Sequence, residues 1–214
     1  MMRKKLIRLI LIGTIAAQPA MSAILVSYLF NFNSTNPTTV DPNASAVSFN
    51  SIGGPGGPFG PIGSPPPGYS ASGWAPMVGF DPARYLTISI TVNPGFEMDL
   101  TSLDISERVT PTGPTTGEIR YSVDGFASSL GTGPLNMSMT FTNQSLPLND
   151  NNLTGTIEFR LYASGAANAM GAFQVDNIVL NGTILPSGSS VPEPSTFALL
   201  AGSGILIALR RRKF

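Results

Sequence analysis

The amino-acid sequence predicts an all-β protein built as a single antiparallel β-sandwich. Charged residues make up only 11% of the 214 residues, whereas 23 glycines and 19 prolines indicate a chain with many turns. Hydrophobic residues account for 42% of the chain, which is enough to form a core. They recur at every second position over several short segments, and this period of two is typical of strands with one buried face.

The N-terminal 23 residues have the three parts of a secretory signal peptide. A basic stretch at residues 3–8 precedes an apolar stretch at residues 9–17, which predicts a short helix, and small residues follow. We expect signal peptidase to cut after Ser22, with a cut after Ala23 as the alternative. The chain is therefore expected to leave the cytoplasm across the inner membrane.

The first predicted strand follows this signal directly. Apolar residues alternate with Ser and Asn from Ile24 to Phe32, which favours a strand over an uncleaved membrane anchor. Six further segments alternate in the same way, at residues 85–92, 103–106, 119–123, 135–141, 157–162 and 172–184. Because about 10–20 residues separate most of them and no amphipathic helix intervenes, we expect an antiparallel sandwich.

The predicted sandwich domain spans residues 24–184 and has irregular parts. Residues 51–76 are rich in Gly and Pro, which predicts a long loop. Residues 185–190 are expected to form a flexible linker. Within the last strand the alternation changes phase at Asp176–Asn177, which predicts a β-bulge.

The last 24 residues combine three features in a fixed order. The triplet Pro192-Glu193-Pro194 is followed by an apolar stretch at residues 197–209 and then by a basic cluster of Arg210, Arg211, Arg212 and Lys213. The apolar stretch predicts a short transmembrane helix. By the positive-inside rule the basic cluster stays in the cytoplasm, which leaves the triplet on the outer side of the inner membrane.

The order and spacing of these features resemble the PEP-CTERM sorting signal, over residues 191–214. The resemblance implies processing by an exosortase-type transpeptidase in the inner membrane of a Gram-negative bacterium. It also implies delivery to the cell surface or to an extracellular matrix that contains exopolysaccharide. A plain tail anchor is the alternative, and it predicts the same topology without cleavage.

Short motifs carry a second resemblance: Gly95-Phe96 with Leu103, then residues 121–127, 159–162 and 175–178, and then Gly182. In this order they resemble the jelly-roll-like domain that is common among PEP-CTERM proteins. That domain is similar to carbohydrate-binding jelly rolls. The resemblance covers residues 80–183, about half of the chain, and implies that the predicted β-sandwich of residues 24–184 is jelly-roll-like.

The composition excludes several classes of partner and site. Eight of the 12 bases lie in the two terminal clusters, so four remain against 11 acids between them. Nucleic-acid binding needs a basic face and is not expected. The chain has no Cys and no His, which excludes disulfides, thiolate or imidazole metal sites and a nucleophile activated by histidine.

Two pairs of residues are candidates for a ligand site. Trp74 and Tyr69 could stack on a sugar ring if the Gly/Pro-rich loop exposes them, or they could be buried beneath that loop. Asp176 and Asp124 could supply oxygen ligands to calcium, the metal that suits this composition. The alternatives are that Asp176 caps the bulge and that Asp124 and Gly125 form a tight hairpin turn.

The sequence leaves three functions open. The first is a non-catalytic structural component of the cell surface or extracellular matrix, associated with exopolysaccharide. The second is a glycan-binding, lectin-like module, with or without calcium. The third is an extracellular hydrolase that uses a carboxylate pair such as Glu97/Asp99 or Glu158/Asp176. Nothing in the sequence brackets either pair around a substrate, so we expect no enzyme activity.

Overall fold

The computed structural model describes residues 22–31, 34–54, 56–59, 68–74, 79–135, 137–138 and 140–188. The predicted signal peptide, except its last residues, and the predicted sorting signal lie outside these residues. Met21–Ser187 form one compact unit. In the described part of the chain, no helix is both long and apolar enough to span a membrane.

Two antiparallel sheets make up this unit, and their strands are numbered along the chain. The first sheet contains β1 (Ala23–Tyr28), β2 (Thr39–Val40), β5 (Gly56–Phe59), β6 (Gly68–Ala71), β8 (Phe96–Val109), β11 (Thr142–Pro147) and β13 (Phe173–Pro186). Its order is β11-β8-β13-β1-β2. Strand β6 pairs with the first residues of β13, before the part that pairs with β1, and β5 pairs with β6.

The second sheet packs face to face with the first. It contains β3 (Ala44–Ala46), β4 (Asn50–Ile52), β7 (Tyr85–Val92), β9 (Thr116–Tyr121), β10 (Gly131–Pro134) and β12 (Thr156–Ser164). Its order is β10-β9-β12-β7-β3, and β4 also pairs with β7. The chain is thus a β-sandwich, as the alternation predicts.

The core lies between the sheets and is formed by the inward-facing residues of both. Strand β7 alternates strictly, and its even-numbered residues from Leu86 to Val92 are buried while the residues between them are partly exposed. On the facing sheet, β8 contributes Leu103 and Ile105 to the same core. Because each fully buried aliphatic side chain contributes roughly 1.5–3 kcal/mol, this shared core holds the two sheets together.

The predicted strand at residues 135–141 is wrong. Strand β10 ends at Pro134 in the second sheet, and β11 begins at Thr142 in the first sheet. Among the described residues between them, Met137 makes an isolated bridge to Val109. The chain crosses from one sheet to the other here, and the residues of this stretch that the structure describes do not belong to a strand.

The prediction of a loop over residues 51–76 is wrong in part, because β4, β5 and β6 lie within or overlap it. Backbone pairing holds these short strands despite their Gly and Pro content, since β4 pairs with β7, β6 with β13 and β5 with β6. Strand β5 needs glycine at position 56, since an added Cβ would lie 2.8 Å from Cβ of Ser51 and 2.8 Å from the hydroxyl of Tyr69. Tertiary pairing therefore overrides local propensity at this place.

The predicted bulge in the last strand is confirmed. The register of β13 against β8 shifts between Asp176 and Val179, and Asn177 has a φ of 45°. The neighbour of β13 changes from β6 to β1 at this point. The strand continues to Pro186, so the first two residues of the predicted linker belong to it.

Candidate functional site

The strongest candidate site is the outer face of the second sheet. In β12 the side chains of Glu158, Arg160 and Tyr162 alternate with core residues and lie on this outer face. The register of β9 places Glu118 beside Tyr162 and Arg120 beside Arg160. Charged and aromatic side chains therefore form a continuous patch, which we call the Arg160 face.

Aromatic rings surround Arg160 and Tyr162, the two central residues of the Arg160 face. The ring centres of Tyr85 and Phe80 lie 5.6 Å and 6.4 Å from that of Tyr162. The guanidinium carbon of Arg160 lies 4.4 Å from the centre of the Tyr85 ring and 3.6 Å from that of Phe126. Tyr162 is buried, while the other three rings are partly exposed. The planar guanidinium is thus stacked against two rings, which fixes its orientation.

Each arginine of this face is held by a glutamate two residues earlier on the same strand. The Nε atom of Arg120 donates to Glu118 at 2.5 Å, and that of Arg160 donates to Glu158 at 2.7 Å. The bond to Glu118 raises the pKa of the Arg120 guanidinium above its ordinary value. Two arginines side by side on neighbouring strands would repel each other, so the two glutamates make their pairing tolerable.

The connection from β9 to β10 begins with a 3-10 turn at Ser122–Asp124. Asp124 accepts hydrogen bonds from the backbone N–H groups of Ala127 at 3.2 Å and Ser128 at 2.8 Å. The predicted tight hairpin turn is therefore wrong, because the connection spans residues 122–130. Gly125, with a φ of 70°, takes the left-handed conformation that ends the 3-10 turn.

The same loop folds back onto the Arg160 face. The backbone carbonyl of Phe126 accepts from Nη1 of Arg120 at 3.3 Å, and the hydroxyl of Ser122 accepts from the backbone N–H of Glu158 at 2.9 Å. Phe126 has a φ of 64°, a strained value for a residue with a bulky side chain. These contacts hold the Phe126 ring over Arg160.

Hydroxyl side chains extend the face away from the rings. Thr87, Ser89 and Thr91 of β7 are partly exposed, and the hydroxyl of Thr91 is 2.8 Å from that of Thr156 in β12. From Tyr85 to Thr91 the strand runs roughly 20 Å at the usual rise per residue. The face therefore offers rings at one end and hydroxyl groups at the other.

This combination suits the chemistry of a sugar chain. An aromatic ring presents flat apolar surface to the C–H face of a sugar ring. Fixed guanidinium, carboxylate and hydroxyl groups can donate to and accept from the sugar hydroxyls. Binding sites usually combine such apolar surface with a few positioned polar groups.

The sequence alone does not indicate the Arg160 face as a binding site. Of its residues, only Glu158 is a candidate site residue in the sequence, as half of the carboxylate pair Glu158/Asp176. One signal was available, since Tyr85 and Tyr162 occupy the outward phase of their strands, where small polar residues are usual. The neighbourhood of Arg120 and Arg160 depends on the order of the strands. A single sequence does not reveal that order.

The predicted sugar platform of Trp74 and Tyr69 is wrong, because both rings are only 3% exposed. The indole Nε1 of Trp74 donates to the carbonyl of Ala71 at 2.7 Å, and its ring packs edge-on against Phe173 at 6.2 Å. The Tyr69 ring packs edge-on against Phe49 at 4.8 Å. The alternative of burial describes both residues.

The predicted calcium ligands Asp176 and Asp124 do not come together. Asp176 belongs to β13 of the first sheet, whereas Asp124 lies in the loop on the Arg160 face of the second. Asp176 is 3% exposed, and burial raises its pKa. Its Oδ1 atom has no hydrogen-bond partner within the described part of the chain. Its other oxygen accepts from the side chain of Asn177 at 3.3 Å. Among the described residues, no three acidic side chains are grouped as a metal site requires.

The two carboxylate pairs considered for hydrolysis are not facing pairs. Glu158 lies on the outer side of the second sheet and Asp176 on the outer side of the first, so the core separates them. Glu97 and Asp99 share one side of β8, and Oδ1 of Asp99 accepts from the backbone of Asn152 at 2.8 Å. Neither arrangement brackets a substrate between two carboxylates.

Comparison with known families identifies the C-terminus. Residues 190–213 match the model of the PEP-CTERM protein-sorting motif. The predicted motif is confirmed, and it implies an exported protein that an exosortase processes at the membrane. No curated protein matches the chain.

The β-sandwich resembles carbohydrate-binding modules of solved structure. One is a family 29 carbohydrate-binding module complexed with mannohexaose, with 14% identity and a TM-score of 0.40 over 76% of this chain and 93% of that one. Another is a xylan-binding domain from Paenibacillus barcinonensis, with 11% identity and a TM-score of 0.43 over 77% and 97%. The cleaved adhesin domain of Lys-gingipain from Porphyromonas gingivalis has 9% identity and a TM-score of 0.42 over 75% and 98%.

Proposed function

We propose that this exported chain is a non-catalytic protein of the cell surface or extracellular matrix that binds polysaccharide on the Arg160 face. Signal peptidase would remove the first residues, and an exosortase would cut at Pro192-Glu193-Pro194. The sandwich would then be delivered outside the inner membrane, where exopolysaccharide is available. Binding would hold the protein in that matrix and account for a structural role.

The observation that carries the proposal is the contact of the Arg160 guanidinium with the rings of both Tyr85 and Phe126. The two rings and the guanidinium are fixed before any ligand arrives, because Glu158 and the loop backbone hold them. A fixed site loses little side-chain entropy on binding. The partly exposed rings and hydroxyls around it offer both kinds of contact that a sugar chain needs.

A purely structural matrix component is the second candidate. The observation that favours it is that Arg120 and Arg160 already pair with Glu118 and Glu158. Such a network stabilises an exposed sheet face without any ligand. The two candidates differ in one respect, which is whether the Arg160 face has affinity for a glycan.

A glycan panel tests the proposal directly. The purified full chain in lipid nanodiscs would be applied to an array of neutral, acidic and amino polysaccharides, once with calcium and once with EDTA. We expect selective retention, and we expect Arg160→Lys to reduce it about tenfold, because lysine keeps the charge but loses the planar stack. Loss of retention in EDTA would add calcium to the site.

Arg84→Lys is the matched control. Arg84 makes an ion pair with Asp81 at 3.7 Å outside the Arg160 face, so the same substitution there should leave retention unchanged. A blank across the whole panel, in both solutions, would reject the binding role and favour the purely structural one. Equal loss in both lysine variants would place the site elsewhere.

A further inference from the structure

A cavity of about 150 Å³ lies between the sheets, where β8 and β11 face β9, β10 and β12. It borders Glu118 and Tyr162 of the Arg160 face, whose other residues do not line it. Most of its wall is apolar and comes from Leu103, Ile105, Leu146, Leu161 and Phe173. The cavity is partly open to solvent, and its volume accommodates a molecule about as large as benzene.

One carboxyl group faces the cavity. Glu107 shares the inward side of β8 with Leu103 and Ile105, is 7% exposed and accepts a hydrogen bond from the side chain of Gln144. Glu118 also borders the cavity, but its carboxylate binds Arg120 on the outer face. Among the described residues that line the cavity, none is a base.

Glycines form the opposite wall. Positions 117, 131 and 133 lie on the inward side of β9 and β10, in register with one another or with Ile119. A Cβ added to Gly117 would lie 2.8 Å from Cδ2 of Leu135, whereas one added to Gly133 would meet nothing within 4 Å. Gly133 therefore marks open space that a larger side chain could fill.

We propose that this cavity binds a small organic cation, in which a primary ammonium group is carried by a compact apolar body of about six carbon atoms. The charge of the site selects the head group, because its inward carboxyl group has no cationic partner on the cavity wall. A buried charge is costly unless it is paired. The ammonium supplies that pair and donates to Oε2 of Glu107, the oxygen that does not accept from Gln144.

The apolar wall selects the body of the ligand. A free sugar would bring several hydroxyl groups against leucine, isoleucine and phenylalanine, where they would lose their hydrogen bonds to water. A cycloalkyl or short branched alkyl group loses nothing there and buries its surface. The cavity is thus specific for amines of low polarity, not for the glycan of the outer face.

Binding of a cation at Glu107 depends on pH in a defined direction. Burial raises the pKa of Glu107 to about 7, and an ammonium ligand prefers the ionised carboxylate. Affinity should therefore rise as the pH increases from 5 through 7 to 8. The other titratable groups around the cavity are Glu118, which is paired with Arg120, and Tyr162 on β12. The strands on either side of Glu107 place uncharged residues near it, namely Gln144 of β11 and Val175 of β13.

Calorimetry with cyclohexylamine tests the proposal, using the full chain in lipid nanodiscs and a phosphate buffer free of other amines. Cyclohexanol serves as the neutral probe of the same shape. We expect cyclohexylamine to bind at least about tenfold more tightly, and Glu107→Gln to remove that advantage. Glu97→Gln, the same change at the far end of β8, should leave binding unchanged.

A second variant tests whether the amine binds in the cavity, independently of the charge of Glu107. Gly133→Val should fill the cavity and abolish amine binding while the circular dichroism spectrum and retention by glycans remain those of the wild type. Gly133→Ala serves the same purpose with a smaller loss if the valine variant fails to fold. Undiminished amine binding in a folded Gly133 variant, equal binding of amine and alcohol, or no binding at all would overturn the proposal. Glucosamine binding as tightly as cyclohexylamine would overturn the apolar specificity.

Discussion

The guanidinium carbon of Arg160 lies 3.6 Å from the centre of the Phe126 ring. This contact joins β12 to the loop after β9. The ring is held there by a strained backbone, since Phe126 has a φ of 64°. A stack between a cation and an aromatic ring contributes about 0.5–2 kcal/mol, which offsets part of that strain. The loop is therefore part of the Arg160 face.

Replacing the ring should weaken glycan binding. We expect Phe126→Ala to reduce retention on the best-bound polysaccharide of the panel by about three- to tenfold, because both the ring surface and the orientation of Arg160 are lost. Affinity electrophoresis measures this change. Val123→Ala in the same loop is the control, as Val123 is exposed and outside the stack. Equal retention by both variants would show that Phe126 only anchors the loop.

The single tryptophan should matter for stability and not for binding. Trp74 is buried against Phe173 and donates to the carbonyl of Ala71. We expect Trp74→Ala to lower the free energy of unfolding by about 3 kcal/mol or more, as for other large-to-small changes in a core. Denaturant unfolding followed by circular dichroism measures it. Weaker glycan binding by the folded variant, at unchanged stability, would restore the platform that burial contradicts.

Much of the sandwich could be predicted from alternation alone. Strand β7 shows this best, because its period of two runs without a break from Tyr85 to Val92 and every second residue is buried. The bulge at Asp176 could also be predicted from the sequence, because an extra residue in one strand shifts the phase of every side chain after it.

Alternation failed where the chain leaves a sheet. Residues 135–141 alternate as a strand would, yet they connect β10 in one sheet with β11 in the other. The short strands β5 and β6 do not alternate and were not predicted, because β6 is stabilised by backbone pairing with the distant β13 and β5 by pairing with β6. The local sequence pattern shows neither where the chain changes sheet nor which strands pair.

The candidate site could be predicted even less. Tyr85 and Arg160 are 75 residues apart in sequence, and only the pairing of β7 with β12 brings them together. Trp74 is the single tryptophan of the chain, but the rarity of a residue type does not indicate that it is exposed. A site formed by several strands and one loop needs the strand order, and one sequence does not supply it.

Neutralising Asp176 should not destabilise the chain. Burial raises the pKa of Asp176, and its Oδ1 atom has no partner among the described residues. We expect Asp176→Asn to be at least as stable as the wild type at pH 8 in EDTA, because the amide carries no charge to bury. Chemical denaturation followed by the fluorescence of Trp74 measures this. A large loss in EDTA would indicate that the carboxylate has an essential partner, and a calcium-dependent gain confined to the wild type would place the ion at Asp176.

The sorting motif makes a cellular prediction. Changing Pro192, Glu193 and Pro194 to alanine should leave an unprocessed chain in the inner membrane, because the exosortase would lack its recognition segment. Immunoblots of membrane and extracellular fractions show the size and place of the protein. Replacing Pro186, outside the motif, is the control. Unchanged size and location of the triple variant would reject processing and favour a plain tail anchor.

The buried carboxyl group of Glu107 makes stability depend on pH. Its pKa is about 7 in the folded chain against an ordinary value of 4.5, so the folded state binds more protons than the unfolded state between these values. The free energy of unfolding must therefore fall as the pH rises from 4.5 to 7 and level off above it. Between pH 5 and pH 8 this fall should amount to roughly 2 kcal/mol.

Glu107→Gln isolates this contribution. Glutamine keeps the shape and the hydrogen bond with Gln144 but has no proton to release, so its fall in stability between pH 5 and pH 8 should be smaller than that of the wild type. Guanidinium unfolding followed by Trp74 fluorescence measures both. The raised pKa of Asp176 adds a fall of the same sign to both proteins and cancels in the comparison. Glu97→Gln should show the same fall in the free energy of unfolding as the wild type. If Glu107→Gln also shows the wild-type fall, the prediction is wrong, and water reaches the Glu107 carboxylate in the cavity.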